Sequence, residues 1–124
     1  MERQPTIVCL CGSARFTDAV YSAYAREALR GNLVLTYLPE RDSWNSREWH
    51  NDTELKASLD KLHFHRIDLC DEILVLNVGG YVGESTKREI SYARALGKKV
   101  RWLEHDVPAW KKILNKARRK LGYG

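Results

Sequence analysis

What the 124-residue chain lacks narrows it first. No apolar run approaches the roughly 20 residues of a membrane-spanning helix, so no membrane partner is expected. The segment Met1-Glu2-Arg3-Gln4-Pro5 carries no apolar core of a secretory leader, and a leaderless protein is the expectation. Three cysteines are an odd count without scaffold spacing, and no Cys/His cluster has the spacing of a zinc motif. A reduced, cytoplasmic interior follows as the simple expectation. Cys9 and Cys11 alternate onto one face of a strand, where neighbours ordinarily just pack. Repeats, low-complexity stretches and interior linkers are also missing. A single domain spanning residues 1–124 is expected, since this length fits one core. Neither G-x-G-x-x-G nor the phosphate-loop G-x-x-x-x-G-K pattern occurs.

What is present is an ordinary globular composition, 44% hydrophobic and 30% charged, with a net charge of +5. The charge is unevenly placed. Lys111, Lys112, Lys116, Arg118, Arg119 and Lys120 all fall after residue 106 without an acid among them. That leaves 15 of the 21 basic residues against all 16 acids, a body of net charge −1. Such a cluster reads as the solvated face of a terminal helix, and nucleic-acid contact is the lesser reading.

Residues 6–11 (TIVCLC) form a short β-branched run and read as a buried strand. Thr17 or Asp18 caps a helix to about Leu29, with Val20, Tyr21, Tyr24, Ala25, Ala28 and Leu29 as its buried face. Strands follow at 33–38, 73–78 and 99–103. Helices are expected at 53–69, 86–96 and 107–121, the first with Leu55, Leu59, Leu62, Phe64 and Ile67 as its apolar set. The polar stretch 40–52, with Trp44 and Trp49, reads as a long loop. Strands alternating with helices define an α/β class. The expected architecture is a three-layer α/β/α sandwich on a flavodoxin- or Rossmann-like parallel sheet of four to five strands.

In an open parallel sheet, ligands bind beyond the carboxyl ends of the strands. This selects the loops 12–16, 39–52, 79–85 and 104–107, and sets aside Asp68 and Asp71, which precede a strand. Gly12-Ser13-Ala14-Arg15-Phe16 leads into a helix N-terminus, where amides and dipole favour an anion. Ser13 and Arg15 add donors, although a tight turn capped by Ser13 explains the same residues. Gly79-Gly80-Tyr81-Val82-Gly83-Glu84-Ser85-Thr86 sets three glycines and two hydroxyls before another helix, where a ligand can approach the backbone. Glu89 then completes a capping box, Thr86-x-x-Glu89, in its bland reading. Trp44, Trp49 and Tyr81 can stack on a base or simply pack. His63 and His65 stand two apart on a helix and make a poor metal pair.

Taken in order, three segments resemble the nucleoside 2-deoxyribosyltransferase-like superfamily, which includes nucleoside deoxyribosyltransferases and nucleoside 5'-monophosphate N-glycosidases. Gly12-Ser13-Ala14-Arg15-Phe16-Thr17-Asp18 is similar to its first glycine loop. Asp71-Glu72-Ile73-Leu74-Val75-Leu76-Asn77 resembles its Asp-led third strand. Glu89-Ile90-Ser91-Tyr92-Ala93 with Gly97-Lys98-Lys99-Val100 resembles its Glu-Leu-Gly-Tyr-Ala and Gly-Lys-x-Val signature. The set spans about residues 6–104.

The resemblance implies that Glu89 is a nucleophile at C1' of a nucleoside or nucleotide, working through a glycosyl ester with retention. It implies no cofactor and no metal, and a site shared within a homodimer or higher homo-oligomer. Two aspartates of the transferase pattern are replaced, by His63 and by Gly83, and Ser91 replaces a glycine. His63, Asp42 and His50 are the candidates for the acid that protonates the leaving base. The departures favour the nucleotide branch, with Gly12, Ser13, Arg15, Phe16, Gly80, Gly83 and Ser85 around the phosphate and sugar. Asp42, Trp44 and Tyr81 complete the expected substrate set. The expected activity is hydrolysis of a (deoxy)nucleoside 5'-monophosphate. Base exchange by a deoxyribosyltransferase and a non-catalytic nucleotide sensor are the alternatives.

Overall fold

A computed structural model describes residues 3–13, 15–37 and 53–105. The elements are β1 (Ile7–Cys11), α1 (Thr17–Leu29), β2 (Leu33–Leu35), α2 (Thr53–Leu69), β3 (Glu72–Val75), a 3₁₀ turn (Val78–Gly80), α3 (Glu84–Ala95) and β4 (Lys99–Trp102). The four strands form one parallel sheet in the order β2-β1-β3-β4. The expected loop at 39–52, with Asp42, Trp44 and His50, and the expected helix at 107–121 lie outside the described residues. Among the described residues, no helix is long and apolar enough to cross a membrane.

Strand alternation sends β1 to two cores at once. Val8 and Leu10 join Val20, Ala23, Leu74 and Leu76 under α1. Cys9 and Cys11 join Ile67, Cys70, Ile73, Val75, Ile90 and Ala93 under α2 and α3. Helices therefore cover both faces, and the arrangement is the Rossmann-like α/β class the element order predicts.

The helices bury narrower stripes than their apolar residues suggest. In α1 the buried residues are Val20, Ala23 and Glu27, while Tyr21, Tyr24 and Leu29 are exposed. In α2 they are His63 and Ile67, and Leu55 and Leu62 are exposed. Both stripes follow i, i+3 or i+4 spacing through a polar residue that finds partners, which apolar counting overlooks. Glu27 is fully buried and accepts bonds from Asn32 Nδ2 (3.1 Å), Arg30 Nη1 (3.1 Å) and Arg101 Nη2. Burial alone would raise its pKa; the bonds from Arg101 and Asn32 and the charges of Arg101 and Arg30 outweigh it and hold the carboxyl below its ordinary value.

The strands stop earlier than their sequences imply. β2 ends at Leu35 rather than residue 38, and Tyr37 turns its hydroxyl to the Gly12 carbonyl at 2.6 Å. β3 ends at Val75 rather than residue 78, because Asn77 departs to brace the chain at Glu104 through both its amide groups, at 2.8 and 2.9 Å. Gly79 and Gly80 follow with φ of 62° and 87°, a region that glycine enters freely. Asp71 accepts the Ile7 amide at 2.8 Å, the start-of-strand role its position implies.

Candidate active site

β1 and β3 are neighbours from which the chain continues in opposite directions across the sheet, to β2 and to β4. The crevice beyond their carboxyl ends is the binding position of doubly wound sheets. The loops after β1 and β3 meet there. An added Cβ at Gly12 would lie 2.9 Å from Leu76 Cβ, so the two backbones approach closely because residue 12 is glycine. Tyr81 closes the contact from above. Its ring meets Phe16 edge-on at 5.7 Å, and the Arg15 guanidinium lies 5.1 Å from its centroid. A Cβ at Gly83 would come within 3.1 Å of the Tyr81 hydroxyl.

Helix α3 starts at Glu84, two residues earlier than its sequence suggests, with Gly83 in extended conformation at the N-cap. Thr86 is thus a buried residue inside the helix, and the capping box with Glu89 does not form. No side chain caps this helix, whose first-turn amides face the crevice end of the sheet. Ser85 Oγ accepts from Arg88 Nη2 at 3.3 Å. Released from capping, Glu89 stands in the second turn and meets His63 of α2, with Oε1 3.4 Å from Nε2. The pair is nearly enclosed, at 13% and 7% side-chain exposure.

Nε2 of His63 has further neighbours. Cys11 Sγ lies at 3.4 Å and Cys9 Sγ at 3.9 Å, while Arg66 Nη1 is 3.3 Å from Nδ1. Tyr37 meets the imidazole edge-on at 5.6 Å. Because Tyr37 also holds Gly12, one side chain joins the first loop to the Glu89–His63 pair.

Burial alone would lower the His63 pKa. Hydrogen bonds to Cys9 and Glu89 and their charges more than reverse this, and it rises to about 9. The hydrogen bond between the two thiols lowers Cys9 and, with burial, raises Cys11 well above the usual range. Burial and then the nearby Glu89 push Tyr37 up, so its phenol keeps its proton for Gly12.

The expected residues thus fall into groups. Gly12, Phe16, Arg15, Tyr81 and Gly83 meet at the crevice, and Glu89 and His63 pair beneath. Ser13 closes a turn, its carbonyl accepting the Phe16 amide at 3.1 Å and its hydroxyl the Arg15 amide at 3.4 Å. The Gly80 amide donates within its own turn, to Asn77 at 2.8 Å. Asp42 and Trp44 lie outside the described residues. Tyr37, Cys9, Cys11 and Arg66 are additions. The signal for the cysteines was their shared strand face, and for His63 its i, i+4 spacing to Ile67; nothing local linked the two. No protein-family model matches the chain, and no curated protein or solved structure is significantly similar to it.

Proposed function

We propose that the protein is an N-glycosidase that hydrolyses a (deoxy)nucleoside 5'-monophosphate through Glu89. The observation that carries this reading is a nearly enclosed carboxylate, freed from helix capping and held by an imidazole beside the crevice at the β1–β3 switch. With Oε1 turned to His63, the second oxygen attacks C1'. The C1'–N bond breaks, its electron pair leaves with the base, and a glycosyl ester to Glu89 remains. Water then adds at C1', the ester bond breaks and the carboxylate is regenerated with net retention, and the proton that water loses replaces the one taken up by the departing base.

His63 positions the nucleophile from the buried side, so the proton for the leaving base is assigned to no described residue. Asp42 and His50, the other candidates, lie outside the described set. The phosphate is received by the first-turn amides of α3, Ser85 and Arg15, a geometry suited to an anion. Tyr81 gives the sugar or base a flat wall. A reducing, cytoplasmic setting goes with three buried free thiols, and a homo-oligomer supplies whatever closes the site from outside. No cofactor takes part in the two steps.

The test is free-base release from a panel of nucleoside monophosphates, wild type against Glu89→Gln. A loss of about 10³-fold or more is expected on removing a nucleophile. Equal rates would remove Glu89 from the chemistry. Base exchange on adding a free acceptor base would reassign the protein as a transferase. Nucleotide-dependent thermal stabilisation with no release would make it a binding module.

A further inference from the structure

Three donor atoms converge at the buried end of the site, and the nucleophilic role of Glu89 uses none of them. Cys9 Sγ, Cys11 Sγ and His63 Nε2 all lie within 4.8 Å of one another. Glu89 Oε1 approaches the same Nε2 at 3.4 Å. Two soft thiol ligands, one imidazole and one carboxylate form a set that suits zinc and its neighbours, and disfavours magnesium and calcium.

The spacing fits as well as the chemistry. Zinc binds sulfur at about 2.3 Å, imidazole nitrogen at about 2.0–2.1 Å and carboxylate oxygen at about 2.0–2.2 Å. At a tetrahedral angle these bonds place nitrogen and sulfur about 3.5 Å apart, and nitrogen and oxygen about 3.4 Å apart. The distances from Nε2 are 3.4 Å to Cys11, 3.9 Å to Cys9 and 3.4 Å to Glu89. The three edges at Nε2 match within about half an ångström, whereas Glu89 lies outside the 4.8 Å cluster that the other three donors form and must swing toward the thiols to ligate. Three ligands come from the rigid interior, two on the central strand β1 and one on α2, so the site is largely assembled before any ion arrives.

We infer that Cys9, Cys11, His63 and Glu89 form a tetrahedral site for a zinc-type divalent ion, with the partly exposed Glu89 as its exchangeable ligand and entry point. One neighbour opposes loading. A metal-bound imidazole turns an N–H outward at Nδ1, where Arg66 Nη1 also presents hydrogen at 3.3 Å. Arg66 is half-buried and its guanidinium must swing away when the ion binds. The ion also takes the carboxylate that the glycosidase reading uses, so loading silences base release. That consequence rests on the proposed function; the metal site does not.

The test is cobalt(II) titration of the full chain, stripped with chelator under a thiol-free reductant. One equivalent should produce sulfur-to-cobalt charge-transfer absorption in the near ultraviolet and the visible bands of a tetrahedral ion. Glu89→Gln should keep the charge-transfer band and bind at least about tenfold more weakly, and Arg66→Ala should bind more tightly. Cys11→Ala, shown folded by circular dichroism, should lose intensity in that band. Absence of the band in folded wild type, or an unchanged band in Cys11→Ala, overturns the site. X-ray absorption on zinc-loaded wild type needs no variant: two sulfur and two lighter ligands support the site, and a shell without sulfur overturns it. An intact cobalt band in a protein that never releases base leaves the metal site standing and counts against the glycosidase alone.

Discussion

Glu27 and Glu89 are both withdrawn from water, one on each face of the same sheet, and their surroundings differ. Glu27 sits under α1 with Asn32, Arg30 and Arg101 around its two oxygens, and Arg101 is itself tied to Glu72 at 2.7 Å. Among the described residues Glu89 makes one ion pair, with His63, which two thiols and an arginine also claim. A carboxylate with both oxygens answered, as in Glu27, is fixed and chemically idle. Glu89, with one oxygen answered among the described residues, has the other to offer a ligand, and an imidazole shares the cost of its burial. The amount of satisfaction, rather than the amount of burial, separates the structural carboxylate from the chemical one.

Replacing each carboxylate in turn gives the largest contrast. Glu89→Gln, which leaves His63 a hydrogen-bond partner, should reduce base release about 10³-fold or more while costing less stability than loss of Glu27, read by turnover and urea unfolding on the same samples. Glu27→Ala should do the opposite. It leaves Arg101 partly buried without its main partner and should lower stability by about 3–5 kcal/mol. A Glu27 variant as stable as wild type would erase the distinction.

Glu27 and the His63 partner of Glu89 answer pH from opposite ends. Glu27 has a depressed pKa, so its contribution is complete above the unfolded value of 4.5 and is lost as acid titrates below it. His63 has a raised pKa, so the protonated ring stabilises the fold fully below 6.5, and that contribution fades as pH rises towards about 9. Cys9, Cys11, Glu89 and Arg66 face the ring, and metal-free protein is required because an ion would displace the proton. Melting temperature across the range should fall at both ends, and His63→Gln should flatten only the alkaline limb.

Smaller effects probe the crevice that joins the two halves. Gly12→Ala forces a Cβ to 2.9 Å from Leu76 Cβ and should cost about 1–3 kcal/mol. Gly83→Ala meets only the mobile end of Tyr81 at 3.1 Å and should cost less than about 1 kcal/mol. Its signature should be a raised KM for nucleotide through a displaced Tyr81.

The α/β class was legible because strand and helix periods alternate plainly between residues 6 and 103. Glu89 was legible as a candidate, and its release from capping was not, since one glycine at residue 83 moved the helix start by two positions. Apolar counting placed Tyr21, Tyr24 and Leu62 inside, where the fold instead buries Glu27 and His63 with partners distant in sequence. The thiol–imidazole cluster was hidden for the same reason. Cys9 and His63 are 54 residues apart, and only the crossing of α2 over β1 makes them neighbours. Local pattern reports periods and caps; it cannot report which polar residue a remote segment will satisfy.

The burial of one face of β1 beneath two helices has a kinetic consequence. Its two fully buried thiols lie on the sheet face that α2 and α3 cover, so a bulky reagent reaches them only when those helices lift from the sheet. Cys70, just past the end of α2 with its thiol on the Ile67 carbonyl at 3.1 Å, needs only the helix end to fray. A thiol reagent applied to native, metal-free protein is therefore two clocks in one tube. The fast one reads the loosening of a helix terminus, and the slow pair reads how often the covering helices part from the sheet.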